Sequence, residues 1–278
     1  MTPWQFSLLS QLAYYDFPAG SDPLGQTAAQ LAQSLLDEGG DLPPYGRQPL
    51  IDITQDPVVG AMVLIAREVD LTQPGFAAYA FASPEEGKVV AMRPTESHTS
   101  LSGIMDWSDN FLAPLVGSNQ YPSVERFVNR FPEGRLTLTG HSKGAHNAMY
   151  GLAVAENGGA VCTCFDGQGF ARCQLTQEQK DRLRQRAVNY VTQNDPVGAL
   201  LYHPEQRIFV QQSCRPSHAL SCMVFGPDGY PIPARRPLWS YLVQALTTGL
   251  AAKWGRSCAA PEKSASQISQ EKKTAQTL

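Results

Sequence analysis

The segment Gly140-His141-Ser142-Lys143-Gly144 constrains this chain more than any other. The alternating run Leu136-Thr137-Leu138-Thr139 precedes it and reads as a strand, and Ala145 to Val154 follows it and reads as a helix. A strand that passes straight into a helix must bend sharply. The centre of the bend takes a strained backbone conformation, and bulky neighbours would clash there. A serine at that centre stands clear of the backbone at the tip of the sheet, beside the positive end of the helix. Strand, Gly-x-Ser-x-Gly and helix in this order are the context of a nucleophile elbow. The same pentapeptide also occurs in plain strand-to-helix turns whose serine caps the helix.

The rest of the chain fits an α/β architecture. Short runs rich in β-formers read as successive strands: Val58 to Ala66, Phe76 to Phe81 and Lys88 to Met92, with turn residues between them. After the elbow, Ala160 to Phe165, Ala187 to Thr192 and Ile208 to Gln211 read as further strands, with the charged helix Gln177 to Arg186 among them. Helices are also expected in the first fifteen residues, around Ala28 to Leu36, over Ser123 to Phe131 and from Leu238 to about Trp254. Residues from Phe17 to Pro49 otherwise read as Gly-, Pro- and Asp-rich loop. Strands alternating with helices imply a mostly parallel central sheet with helices on both faces. One domain over residues 1–255 and a disordered polar tail over 256–278 are the expected organisation.

Composition narrows the classes of function. Of 278 residues 42% are hydrophobic, enough for a sizeable core, and the net charge is -3. That balance speaks against nucleic acid as a partner and gives no overall steering toward an anionic membrane. The sequence contains no run near the ~20 apolar residues of a transmembrane segment. Met1 to Phe6 lacks the basic start and apolar run of a signal peptide, so the expectation is a protein cytoplasmic as synthesised, with signal-independent secretion left open. The six cysteines form no Cys-x-x-Cys pair and no zinc-ligand spacing. Cys162 and Cys164 sit two apart in an expected strand and read as small buried apolar side chains. Structural disulfides are the alternative, tied to the compartment.

A serine hydroxyl needs a histidine to take its proton and a carboxylate to orient that histidine. In this fold class the three follow in the order serine, acid, histidine. Two histidines lie beyond the elbow helix, His203 and His218. His218 follows the last core strand, where the base belongs, whereas His203 precedes that strand and reads as a surface group. His141 and His146 read as packing or surface residues, and His98 breaks the order. Asp195 ends the second strand after the elbow and is favoured as the acid; Asp166 ends the first and is the alternative. For the oxyanion, the backbone N–H of Lys143 is one expected donor and Thr95, in a loop after an earlier strand, is the other.

Several pieces resemble one family, the Mbeg1-like branch of α/β-hydrolases, which is related to the class 3 lipases. They are Leu8 to Phe17, Arg93-Pro94-Thr95, Asp106 to Phe111, the Gly140 to Gly144 elbow with its lysine after the serine, and Phe165-Asp166-Gly167-Gln168-Gly169-Phe170. Asn194-Asp195-Pro196-Val197 and Ser217 to Ser221 are similar to the acid and histidine segments of class 3 lipases. The family pattern at the oxyanion loop is Arg-Gly-Thr, and Pro94 stands where the glycine would be. The branch favours an aspartate at the position of Asp166 over that of Asp195. The resemblance implies a serine esterase or lipase with no metal and no organic cofactor, acting on a lipid or small-molecule ester and compatible with transient contact at a membrane surface. Residues Ile104 to Val116 would line or cover an acyl slot, or form a core helix, and Pro227 to Pro237 could form a flap. A catalytically inactive binding or effector module is the competing reading, motivated by Pro94.

Overall fold

A computed structural model of the chain describes residues 1–17, 22–38, 46–69, 76–94, 120–214 and 218–258. Its centre is a seven-stranded sheet: β1 Val63–Val69, β2 Phe76–Ser83, β3 Gly87–Pro94, β4 Leu136–His141, β5 Val161–Phe165, β6 Ala187–Thr192 and β7 Gln206–Val210. Neighbours in space follow the order in the chain, β1 to β7. The pairs β1–β2 and β2–β3 are antiparallel and the four pairs from β3 to β7 are parallel. This is the α/β-hydrolase class of architecture expected from the sequence.

That monotonic order dictates how the sheet is covered. A right-handed crossover between parallel neighbours places its helix on one face, and strands added always in the same direction place every such helix on that same face. The crossover helices are α5 Tyr121–Val128, α6 Lys143–Val154 and α7 Gln177–Arg186. Val124, Leu152 and Leu183 from these helices share one core with Phe76, Ala78, Ala80, Val90, Met92 and Leu138 of the sheet. The opposite face must be covered from elsewhere, and the N-terminal segment covers it. Helices α1 Pro3–Leu12, α2 Ala28–Glu38, α3 Gln48–Gln55 and α4 Pro57–Gly60 pack Leu8, Leu12, Leu31, Leu50, Ile53 and Val59 against Ala77, Tyr79, Phe81, Val89 and Ala91. Strand alternation makes both cores from one strand: even positions of β2 face the crossover helices and odd positions face the N-terminal ones.

Two local expectations are corrected. The run from Val58 does not form one strand. Asp56 accepts hydrogen bonds from the N–H groups of Val58 and Val59, and Pro57 fixes the first helical turn, so α4 precedes β1. Helix α3, Gln48–Gln55, takes in the last two residues of the expected loop and continues beyond it. The last helix, α8 Leu238–Cys258, runs past the expected end. Thr95, His98, the segment Ile104 to Val116 and the tail 259–278 lie outside the described residues. Pro227 to Pro237 is not a free flap: Val210 bridges Pro233, and Phe225 bridges Pro231.

The elbow is held by close backbone contact. A Cβ on Gly140 would come within 2.5 Å of the Gly144 carbonyl and 2.8 Å of the Met92 oxygen, and one on Gly144 would overlap the Met92 carbonyl. We predict that Gly144→Ala lowers unfolding free energy by about 3 kcal/mol, the upper end for overpacking. Gly158→Ala, where an added Cβ meets nothing within 4 Å, should change it little. Urea denaturation of both variants measures the difference, and equal midpoints would show that the bend tolerates a side chain.

Candidate active site

Strand β4 delivers Ser142 to the C-terminal edge of the sheet, where α6 begins. Ser142 takes φ 59° and ψ -124°, a conformation that costs a non-glycine residue about 1–3 kcal/mol. The surroundings over-determine it. Its N–H donates to the Phe165 carbonyl (3.0 Å), its own carbonyl accepts from His146 N–H (3.1 Å), and the two glycines let β3 and α6 approach on either side. The Tyr14 hydroxyl donates to the His141 carbonyl at 3.0 Å, fixing the residue before the bend from the N-terminal layer. Arg93, at the end of β3, in turn donates to the Tyr14 carbonyl at 2.7 Å and pairs with Asp16.

Three of the residues singled out in the sequence meet here. Ser142 Oγ lies 2.8 Å from His218 Nε2, and His218 Nδ1 lies 2.8 Å from Asp195 Oδ1. The order along the contact is hydroxyl, imidazole, carboxylate. The Asp195 side chain is fully buried while His218 keeps 23% of its side chain exposed, so the constellation opens to solvent at the histidine. The second Asp195 oxygen accepts the N–H of Gly198 at 2.5 Å, from the short turn Val197–Ala199 that follows it. Lys143 begins α6 directly after the serine.

Asp166 comes close without joining the chain of contacts. It sits at φ 50° at the end of β5, its Oδ1 accepting from Thr192 N–H (2.7 Å) and Thr192 Oγ1 (3.1 Å). Its Oδ2 has no hydrogen-bond partner. Burial first, and then the negative charge of Asp195, push the Asp166 carboxyl well above the usual carboxylate range, against the opposing pull of the Thr192 hydrogen bonds. Both effects shift Asp166 toward its protonated form beside Asp195.

His141 is neither simple packing nor surface. Its ring is buried, and its Nε2 donates to the backbone carbonyl of His218 at 2.8 Å. Burial, then the proximity of His218, hold its pKa well below the usual histidine range, so it is a neutral donor with its proton on Nε2. His146 is pinned behind the elbow helix between the Tyr121 hydroxyl (2.8 Å) and the Gln168 carbonyl (3.3 Å), and burial lowers it to about 4. Ligand-type atoms of His141, Asp166 and His218 lie within 4.8 Å of one another. The ring nitrogens this grouping would need already serve elsewhere: both of His218 in the contacts to Asp195 and Ser142, and His141 Nε2 on the His218 carbonyl.

A family model described as Mbeg1-like matches residues 62–219, more than half of the chain. The chain belongs to the Mbeg1-like family. The match takes in Ser142, Asp166, Asp195 and His218 and leaves α1 to α4 outside it. No curated protein matches this Mbeg1-like chain by sequence. Among solved structures it is similar to a fungal lipase at 14% identity and a TM-score of 0.49, over 83% of this chain and 85% of the other. It is similar to the Lip2 lipase of Yarrowia lipolytica at 10% identity and a TM-score of 0.49, over 88% and 90%. A mutant of MDLA from Penicillium cyclopium gives 15% identity and a TM-score of 0.48, over 87% and 93%.

Two further features of this Mbeg1-like site differ from the sequence reading. His203 is buried: its Nδ1 lies 2.6 Å from Glu205 Oε1 and its Nε2 donates to the Leu200 carbonyl, so it is a structural histidine with both nitrogens engaged. The signal was Glu205, two residues on. Cys214 and Cys222 are joined by a disulfide that spans the segment carrying His218. Their spacing, with the candidate base midway, was the sequence signal. Cys162 and Cys164 are buried free cysteines, as expected, and Cys173 is free and exposed. Closing eight residues of chain removes conformational freedom equivalent to roughly 2–3 kcal/mol in the loop-entropy picture. We predict that reduction by a dithiol, or Cys214→Ser with Cys222→Ser, loosens this segment. Amide hydrogen exchange should quicken at residues 218–222 and stay slow in β4 to β6. Unchanged exchange at 218–222 would show that the disulfide does not hold the histidine.

Proposed function

We propose that this chain is a serine hydrolase of carboxylic esters, with Ser142 as nucleophile, His218 as general base and acid, and Asp195 as the residue that orients and charge-balances the imidazole. The observation that carries the reading is the run of two 2.8 Å contacts from Ser142 Oγ through His218 to Asp195, on a serine held in strained backbone. In the reaction, His218 Nε2 takes the Ser142 proton as Oγ attacks the acyl carbon. The imidazolium so formed is stabilised by the Asp195 carboxylate on Nδ1 and then gives its proton to the leaving alcohol. A water, deprotonated by His218, releases the acid from the acyl-serine and restores the site. The oxyanion would be met by the backbone N–H of Lys143 and by Thr95, each such donor typically contributing about 3 kcal/mol to the transition state. All proton transfers are carried by side chains of this chain.

Geometry supports Asp195 as the acid: its Oδ1 meets His218 Nδ1 at 2.8 Å, whereas burial and the Asp195 charge shift Asp166 toward its protonated form, and stabilising an imidazolium requires an anion. The Thr192 N–H and hydroxyl fix Asp166 as a spacer at the floor of the site. For substrate class, the relation of the family to class 3 lipases favours an acyl ester of a lipid, in the manner of a lipase or phospholipase.

Two experiments test this. A fluorophosphonate probe is expected to label the folded chain and to lose all labelling in Ser142→Ala. A folded wild type that resists the probe would favour the inactive binding module. On p-nitrophenyl esters of graded chain length, and then on phospholipids, Asp195→Asn should lower kcat by about ten-thousand-fold, the scale seen when a triad acid is neutralised. Asp166→Asn, which keeps the shape of a side chain outside the Ser142–His218–Asp195 contacts, should cost less than about tenfold. A larger loss at Asp166 than at Asp195 would move the acid to the end of β5.

A further inference from the structure

Helix α8 turns its leucines outward. The side that packs on the protein buries Ala251 against Ala171 and Leu201 and is otherwise largely polar: Ser240 is buried and its Oγ accepts from Arg236 Nε (3.1 Å), Gln244 Oε1 accepts from Arg207 and Arg236 (2.7 Å each), and Thr247 Oγ1 accepts the N–H of Leu201 (2.9 Å). The side that faces solvent carries Leu238, Leu242, Leu246 and Leu250, which are 86%, 62%, 59% and 57% exposed. An ordinary surface helix has the reverse arrangement. A contiguous leucine face of this kind on a folded domain marks a contact surface.

Spacing and charge identify what it contacts. At about 100° per residue, leucines every four positions fan out over about 120° of the helix surface. A coiled-coil seam with a second copy of the chain needs alternating steps of three and four. A broad apolar arc instead suits a helix lying flat in a lipid interface. The segment Leu238 to Cys258 has no Asp or Glu; the exposed cation Arg235 lies three residues before it and the exposed Lys253 in its C-terminal part. Beside the arc lies an open hollow of about 470 Å³ whose lining includes Arg172, Ala245, Thr248, Gly249 and Ala252. Arg172 is exposed and stacks its guanidinium over Tyr202 (4.2 Å), while the buried Thr248 Oγ1 has no hydrogen-bond partner. The small residues leave room there for a headgroup, with a cation at the rim. The polar stretch 259–278 offers only Ile268 and Leu278 as large aliphatic residues, too few to cover four leucines. We propose that α8 docks this protein onto an anionic lipid leaflet, its leucines among the acyl chains and Arg172, Arg235 and Lys253 at the phosphates.

The docking surface does not rest on the ester-hydrolase reading. Arg207 nevertheless links the two, donating to Gln244 of α8 (2.7 Å) and to the carbonyl of Gly198 (3.0 Å), whose N–H holds Asp195.

The test reads binding alone, using the full chain as Ser142→Ala so that no lipid is turned over. Flotation is compared on vesicles of phosphatidylcholine and of phosphatidylcholine mixed with phosphatidylglycerol. The protein should float with the mixed vesicles, less with the neutral ones, and less as salt rises. Leu242→Ser with Leu246→Ser, both exposed and so harmless to the fold, should weaken binding by about tenfold or more. Arg235→Gln with Lys253→Gln should flatten the salt dependence. Absence of flotation on either vesicle, or equal binding by the leucine variant, would overturn the proposal. So would a dimer in light scattering that dissociates in the leucine variant, which would assign the face to a second copy of the chain.

Discussion

Everything at the site depends on one bend that the backbone resists. Ser142 occupies a conformation few residues adopt, and it stays there because β3, β4, β5 and α6 close around it. Gly140 and Gly144 permit that closure, since the Met92 carbonyl leaves no room for a Cβ at either position. The sheet supplies the stability and the turn spends a little of it in aiming one hydroxyl. With the hydroxyl fixed, His218 reaches it at 2.8 Å from a loop beyond β7.

The electrostatics near that hydroxyl separate two aspartates that the sequence alone presents as rivals. Both end parallel strands at the same sheet edge, a placement the alternation of strands and helices already implies. Their environments differ. Asp195 receives the Gly198 N–H and faces a ring nitrogen, while Asp166 is buried with one oxygen unpartnered. Burial and the charge of Asp195 both raise the Asp166 carboxyl above the usual carboxylate range, so the two aspartates are not equivalent.

Much of this was legible in the sequence, and the reasons are local. The elbow announces itself through glycine spacing between a period-two run and a helix. The helix Gln177–Arg186 and the strand Ala187–Thr192 follow directly from their patterns. What escaped depended on contacts between distant residues. That His141 would reach the His218 carbonyl is invisible until β4 and the last loop are side by side. That His203 would be buried depends on Glu205 turning inward with it. The failure at Val58 was different: an apolar run was read as strand although Asp56-Pro57 ahead of it was a helix-start signal. Helix α8 is legible as an element, but which of its faces meets solvent depends on packing against distant residues such as Leu201 and Arg207.

The uninterrupted strand order carries a consequence for where this domain begins. Because the described crossover helices lie on one side, the other side of β2 and β3 packs, among the described residues, against the first sixty or so. The family match starts at residue 62, downstream of all four helices that do this covering. Cut at that boundary, the polypeptide would turn Tyr79, Phe81 and Val89 outward as a bare apolar wall and would lose the Tyr14 hydroxyl that steadies the turn. The segment matched by the family model is thus smaller than the packed unit, and the N-terminal helices belong to the scaffold as much as the strands they shelter.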